Sequence, residues 1–229
     1  MKMHFKEGVE PHAIYTPAKV PHHYKYETKQ MLDRDIRIGV IEKVPEGTPT
    51  KWCSHMLMQV KANGKLRRTI NLQRVNDATY REVNHNSTPY DLICDLPKGQ
   101  KKTVLDGLNS YHALPLDEEA SNATTFVTEW GTFRCLRAPQ GFWASEDCFT
   151  RRFHELTKDV KNKKVCVDDS LLFDDTLEGL FWRTVAYIAL CYENGVVFNG
   201  DKFKFGHNEL VFGGFELTVD GYRPTRVML

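Results

Sequence analysis

The amino-acid sequence predicts an α+β protein with helices backing one face of an antiparallel sheet. Three observations carry that expectation. Strand-like runs come in pairs closed by turn residues, at 55–72, 123–137 and 163–173. Apolar residues recur at helical spacing near 27–38, 145–160 and 177–192. From residue 103 onward the order is strand, hairpin, helix, hairpin, helix, strand, hairpin, with no internal repeat or low-complexity tract.

Each element has a local reason. The first residues, to about Tyr26, are rich in Pro and His and read as an extended lead-in. A helix is expected from Glu27 to Ile38, with Leu32 and Ile36 on one face and Gly39 as its stop. Val40 to Val44 reads as a short strand, and Pro45-Glu46-Gly47-Thr48-Pro49 as a loop. His55 to Val60 and Leu66 to Leu72 form a hairpin around Ala62-Asn63-Gly64. Ala123 to Thr128 and Thr132 to Arg137 form another, closed at Glu129-Trp130-Gly131. Ser145 offers an N-cap, with Glu146 and Asp147 in the first turn and Phe149, Phe153, Leu156 and Val160 following at helical spacing. The last long helix starts after Thr176, carries the stripe Leu177, Phe181, Val185, Ile188 and Tyr192, and ends at Asn194-Gly195. Val196 to Phe198 and Leu210 to Leu217 read as strands.

Composition excludes several classes. The chain has 229 residues, 41% hydrophobic and 27% charged, ordinary for a globular protein of one or two domains. No apolar run approaches the roughly 20 residues of a membrane span, and Met1 to Glu7 lacks an apolar signal core. No membrane partner is expected, and the cytoplasm is the expected location. The six cysteines include no Cys-x-x-Cys pair, so reduced and mostly buried thiols are expected. Net charge is only +1, yet basic residues cluster at Lys61, Lys65, Arg67, Arg68, Arg74 and Arg81, and again at Arg151, Arg152, Lys158, Lys161, Lys163 and Lys164. Charge pattern alone reads either group as a solvated face.

The sharpest chemical feature is Cys166-Val167-Asp168-Asp169, between the strand-like runs Lys163–Val167 and Ser170–Phe173. Two acids at a hairpin tip repel and need a counter-ion. Asp106 ends a similar run, Thr103-Val104-Leu105. Carboxylates on strand ends of one sheet make a hard-oxygen site suited to Mg²⁺. An Asp-Asp pair alone, however, is ordinary turn chemistry.

Blocks in sequence order change that balance. They are Leu66-Arg67-Arg68-Thr69-Ile70-Asn71-Leu72-Gln73-Arg74-Val75-Asn76, Val104 to His112 around Asp106, Ala138-Pro139-Gln140-Gly141-Phe142, Cys166-Val167-Asp168-Asp169, Asn199-Gly200-Asp201-Lys202-Phe203 and Phe212-Gly213-Gly214-Phe215. Together they resemble the reverse transcriptase domain of LTR retrotransposons of the gypsy type, and more distantly retroviral polymerases. The resemblance covers nearly the whole chain.

It implies a polymerase of fingers and palm subdomains, with an antiparallel palm sheet backed by helices. Fingers would span about 1–91 and 115–147, and palm about 92–114 and 148–229. Thumb, connection and RNase H regions would lie outside the 229 residues, leaving isolated activity weak or absent. The implied activity is RNA-directed DNA polymerisation, adding deoxynucleotides to a primer on an RNA or DNA template. Two Mg²⁺ ions, or Mn²⁺ in their place, would be held by Asp106, Asp168 and Asp169. Arg67, Tyr111, Gln140, Gly141 and Lys202 would contact the nucleotide, Tyr111 as a sugar gate and Lys202 toward the pyrophosphate. Gly213, Gly214 and Phe215 would grip the primer end. The remainder of a Pol polyprotein is an expected partner. Cys166 stands where retroviral enzymes usually carry Tyr, and Asn71 and Gln73 replace a frequent Asp and Arg. The alternative is a catalytically inactive, element-derived nucleic-acid-binding module. A metal-dependent nuclease would need neither the aromatic after Asp106 nor the Gln-Gly block.

Overall fold

The structure is a computed structural model that describes residues 1–61, 64–81 and 87–226. The turn expected at Ala62-Asn63 lies outside the described residues. In chain order come α1 (Lys25–Arg37), β1 (Ile41–Lys43), β2 (Ser54–Val60), β3 (Leu66–Ile70), α2 (Gln73–Ala78), α3 (Pro89–Ile93) and β4 (Lys101–Asp106). Then follow α4 (Glu118–Ala123), β5 (Phe126–Thr128), β6 (Gly131–Cys135), α5 (Trp143–Thr157), β7 (Lys163–Cys166), β8 (Asp169–Asp174) and α6 (Leu177–Glu193). The last strands are β9 (Lys204–His207), β10 (Leu210–Phe212), β11 (Phe215–Leu217) and β12 (Tyr222–Pro224). The chain divides into two compact units, Met1–Glu82 with Tyr111–Cys148, and Val83–Ser110 with Phe149–Leu229.

The first unit holds a five-stranded sheet in the order β1-β6-β5-β2-β3. Its pairings are antiparallel except β2 with β5, where Ser54 faces Phe126 in parallel register. Leu32, Ile41, Leu72, Val75 and Phe126 lie at its core, with exposures of 0 or 1%. Helix α1 buries Thr28, Leu32 and Asp35, while Ile36, expected beside Leu32, is exposed. A helical face is set by its closest-packed residues, and here a carboxylate took the interior position. Asp35 is stable there because two guanidinium groups meet it.

The second unit holds the four-stranded antiparallel sheet β7-β8-β4-β9 and the three-stranded sheet β10-β11-β12. Strands β4 and β8 bury four consecutive residues each, as central strands do. Lys102 on β4 is buried too, and its Nζ donates to the carbonyls of Gln100 and Asn208, each at 3.0 Å. These bonds brace the strand against neighbouring loops.

Helix α6 backs this sheet, capped by Thr176, whose side chain accepts from Gly179 N at 3.0 Å. It buries Leu180, Thr184, Tyr187 and Cys191. The stripe that marks this helix in the sequence is the other one: Leu177, Phe181, Val185, Ile188 and Tyr192 are all exposed. Two further expectations are corrected. Val196 to Phe198 is not a strand; it makes an isolated bridge from Phe198 to Gly107. Helix α5 starts at Trp143, so Ser145 is already inside it, and its Oγ donates to Pro139 O at 2.9 Å. Among the described residues, no helix is long and apolar enough to cross a membrane.

Candidate active site

Asp106 is the last residue of β4 and Asp169 the first of β8, and the two are register partners. Cys166 and Asp169 close the β7–β8 hairpin around Val167-Asp168, with Val167 at φ 56°. A β-branched residue in the left-handed region is strained, so the turn is held by its surroundings. One restraint is Gly107 N, which donates to Asp168 O at 3.0 Å. A Cβ on Gly107 would sit 2.0 Å from Ser110 Oγ and 3.1 Å from Asp168 O, so a larger residue would push the two acid-bearing segments apart. Behind β8, Ser170 Oγ and Tyr187 OH share a buried hydrogen bond of 2.8 Å, fixing the strand that Asp169 begins.

Lys202 enters from a short turn, Gly200–Lys202, after α6. Asn199 N donates to Asp106 O at 2.7 Å, and Asn199 Oδ1 accepts from Asp201 N at 3.1 Å. That anchored turn brings Lys202 Nζ within 2.5 Å of Asp106 Oδ2. The electrostatics follow. Burial first, then the charges of Asp168 and Asp106, push the Asp169 carboxyl up to about 6, against the opposing pull of Lys202. Hydrogen bonding to Asp106 holds the Lys202 ammonium above the usual lysine range.

Three half-buried carboxylates offer hard oxygen donors and are chemically suited to a divalent cation. As the side chains stand, no three acids, histidines or cysteines among the described residues are gathered closely enough to hold an ion. The lysine already serves as counter-ion to Asp106. Cys166 packs partly buried against the core cluster of this unit, which includes Ile93, Val104 and Leu171.

The other expected residues fall into two groups. Gly213 and Gly214 form the two-residue turn between β10 and β11, both with positive φ, while Phe215 is buried against Tyr90 and Tyr222. The Phe215 ring therefore supports the turn from the core side. Arg67, Tyr111, Gln140 and Gly141 belong to the first unit. Arg67 is exposed on β3, and Tyr111 is half-buried in a 3₁₀ turn, Ser110–Ala113.

Asn76, at the end of the first motif block and with no role legible in the sequence, holds the Gln140-Gly141 turn. Its Nδ2 donates to Gly141 O at 2.9 Å and its Oδ1 accepts from Trp143 N at 3.3 Å. Asp147, expected in the first turn for its favourable charge at the helix start, is buried and bound to Arg81 at 2.8 Å. Its burial had no local signal, because the partner lies far away in sequence.

No family model matches the chain. It is 25% identical over 218 residues to the Pro-Pol polyprotein of Simian foamy virus type 1, covering 93% of this chain and 19% of that protein. It is 25% identical over 209 residues to the retrovirus-related Pol polyprotein from transposon 297 of Drosophila melanogaster, covering 89% of this chain and 20% of that one. The chain thus spans about a fifth of the length of the curated relatives it matches. Among solved structures it superposes on a foamy viral protease-reverse transcriptase in complex with double-stranded DNA, with a TM-score of 0.86 and 22% identity, over 99% of this chain and 40% of that one. The fold is that of a retroviral-like reverse transcriptase. A second foamy viral protease-reverse transcriptase, in complex with an RNA/DNA hybrid, matches at a TM-score of 0.85 and 21% identity, over 98% of this chain and 31% of that one. In this reverse-transcriptase fold, Asp106, Asp168, Asp169 and Lys202 are all carried by the second unit.

Proposed function

We propose that the chain is an RNA-directed DNA polymerase domain, with the first unit as fingers and the second as palm. It would extend a primer on an RNA or DNA template with deoxynucleotides, in the cytoplasm and as part of a Pol polyprotein. The observation that carries this is the register pairing of Asp106 with Asp169, beside the Asp168 turn, in a chain with a reverse-transcriptase fold.

Asp106, Asp168 and Asp169 would hold two divalent cations. When bound, such ions activate the primer hydroxyl and neutralise charge on the phosphoryl oxygens. The remaining work belongs to the protein. The central strands β4 and β8 would hold the backbones of Asp106 and Asp169 in register while their side chains turn toward the ions. Lys202, released from Asp106, would donate a hydrogen bond or a proton to the departing pyrophosphate. Arg67 would hold the triphosphate through its guanidinium fork. Tyr111 would pack against the deoxyribose and exclude a 2′-hydroxyl. Gln140 and Gly141, fixed by Asn76, would line the nucleotide site, and the Gly213-Gly214 turn with Phe215 behind it would support the primer end.

Primer extension on poly(rA)/oligo(dT) with Mg²⁺ tests the proposal, comparing wild type with Asp168→Asn. Extension by wild type alone is expected. Equal extension by both proteins sinks the catalytic assignment. Extension by neither, with duplex binding retained, favours the nucleic-acid-binding module.

A further inference from the structure

We infer that Tyr187 is a positioning residue that ties strand β8, which begins at Asp169, to the segment that holds Asp106 and carries Lys202; the inference rests on the polymerase proposal for the roles of those charged residues. Tyr187 lies on the buried face of α6, 1% exposed. Its hydroxyl and Ser170 Oγ share a hydrogen bond of 2.8 Å, and Ser170 is fully buried. Ser170 directly follows Asp169 on β8. Successive side chains on a strand point to opposite faces, so holding Ser170 toward α6 commits Asp169 to the other face.

The same ring makes the second link. It stacks on Phe198, with centroids 5.9 Å apart and planes at 24°. Phe198 forms an isolated antiparallel bridge with Gly107. Around that bridge, Asn199 N donates to Asp106 O and Leu108 N donates to Val197 O, each at 2.7 Å. Gly107 N in turn donates to Asp168 O at 3.0 Å. The turn Gly200–Lys202 follows Asn199 directly and delivers Lys202 to Asp106. On a third side, Phe153 of α5 meets the Tyr187 ring edge-on at 6.4 Å. One core side chain therefore touches both stretches of backbone that carry the charged cluster.

Packing does not require this pair. A buried phenol and serine can give way to phenylalanine and alanine, apolar groups of nearly the same shape, at little cost in stability. What such a replacement removes is direction. The hydrogen bond fixes α6 against β8 in one register, whereas a ring edge against a methyl group can slide.

The double variant Ser170→Ala/Tyr187→Phe in the full chain tests the tie, because it removes both polar atoms and leaves no orphan hydroxyl. Amide hydrogen exchange at Asn199 and Gly107 is expected to accelerate about fivefold or more, with β5 and β6 of the first unit unchanged. Mn²⁺ binding, followed by electron paramagnetic resonance without nucleic acid, is expected to weaken about threefold or more, since groups that orient ligands tune affinity. In primer extension, kcat is expected to fall about tenfold, with KM for the incoming nucleotide within about twofold of wild type. Unchanged exchange at Asn199 overturns the tie. Accelerated exchange with wild-type Mn²⁺ affinity makes Tyr187 a packing residue and overturns its positioning role, as does a raised KM with wild-type kcat. If the double variant does not fold, Tyr187→Phe alone decides by the same readings. If wild type neither binds Mn²⁺ nor extends primer, the polymerase proposal falls by itself. Exchange at Asn199 then decides the tie alone: acceleration supports it, and its absence overturns it.

Discussion

Lys202 Nζ lies 2.5 Å from Asp106 Oδ2, so a lysine occupies the oxygen that the proposed function reserves for a cation. The Lys202 side chain is 61% accessible, and a pair this exposed is worth about 0.5–1 kcal/mol. An incoming ion must compete with that contact. Lys202→Ala is therefore expected to tighten Mn²⁺ binding by about two- to fivefold, measured by calorimetry or by electron paramagnetic resonance without nucleic acid. Equal or weaker binding refutes the competition. The same substitution is expected to slow incorporation.

Asp169 carries the cost of the cluster. Its carboxyl is pulled up from 3.8 to about 6 in the folded state, so folding favours its protonated form. The associated stability is fully present below the unfolded pKa and is lost as pH rises through about 6. At pH 8 with a chelator, Asp169→Asn is expected to stabilise the protein by about 2 kcal/mol in urea unfolding, while abolishing primer extension. The stability difference should shrink toward pH 4. A less stable Asn variant at pH 8 contradicts the account.

The Gly213-Gly214 turn should tolerate no side chain at its first position. Gly213 has φ 56°, and a Cβ there would lie 2.8 Å from Pro89 Cβ. Gly213→Ala is expected to cost about 2 kcal/mol, roughly half from left-handed strain and half from the clash. Gly195→Ala, where a Cβ meets nothing within 4 Å, is expected to cost only about 1 kcal/mol. Equal losses at the two sites would show that Pro89 yields freely.

Tyr111→Ala is expected to admit ribonucleotides at least about tenfold more readily relative to deoxynucleotides, because the ring that would meet the 2′-hydroxyl is gone. Competitive incorporation of UTP against dTTP measures it. Unchanged sugar selectivity would remove Tyr111 from the gate.

Hairpins and acids were legible because their signals are local. Turn residues bracketed β7 and β8, and the two-residue loop set Asp168 and Asp169 at its end. Helix α6 had a clear stop and start, yet its buried face was not legible. The sequence around it is apolar on nearly every side, so periodicity marks a helix without saying which stripe packs. Leu177, Phe181 and Tyr192 stay exposed because Tyr187 reaches Ser170 and stacks on Phe198, turning the opposite side inward. The short helices α2, α3 and α4, of five or six residues, span too few turns to show a period.

Sequence alone singled out which residues are candidates for the chemistry, because residue type and spacing are properties of the chain. Asp106, Asp168, Asp169 and Lys202 all stand in recognisable sequence blocks. Tertiary structure decided how they stand to one another: Asp106 opposite Asp169, and Lys202 upon Asp106. It also decided that Asp35 and Asp147 are interior and that Asn76 holds a distant turn. A buried charge is stable only through partners, and the distant ones brought by folding, Arg68 to Asp35 and Arg81 to Asp147, lie 33 and 66 residues away.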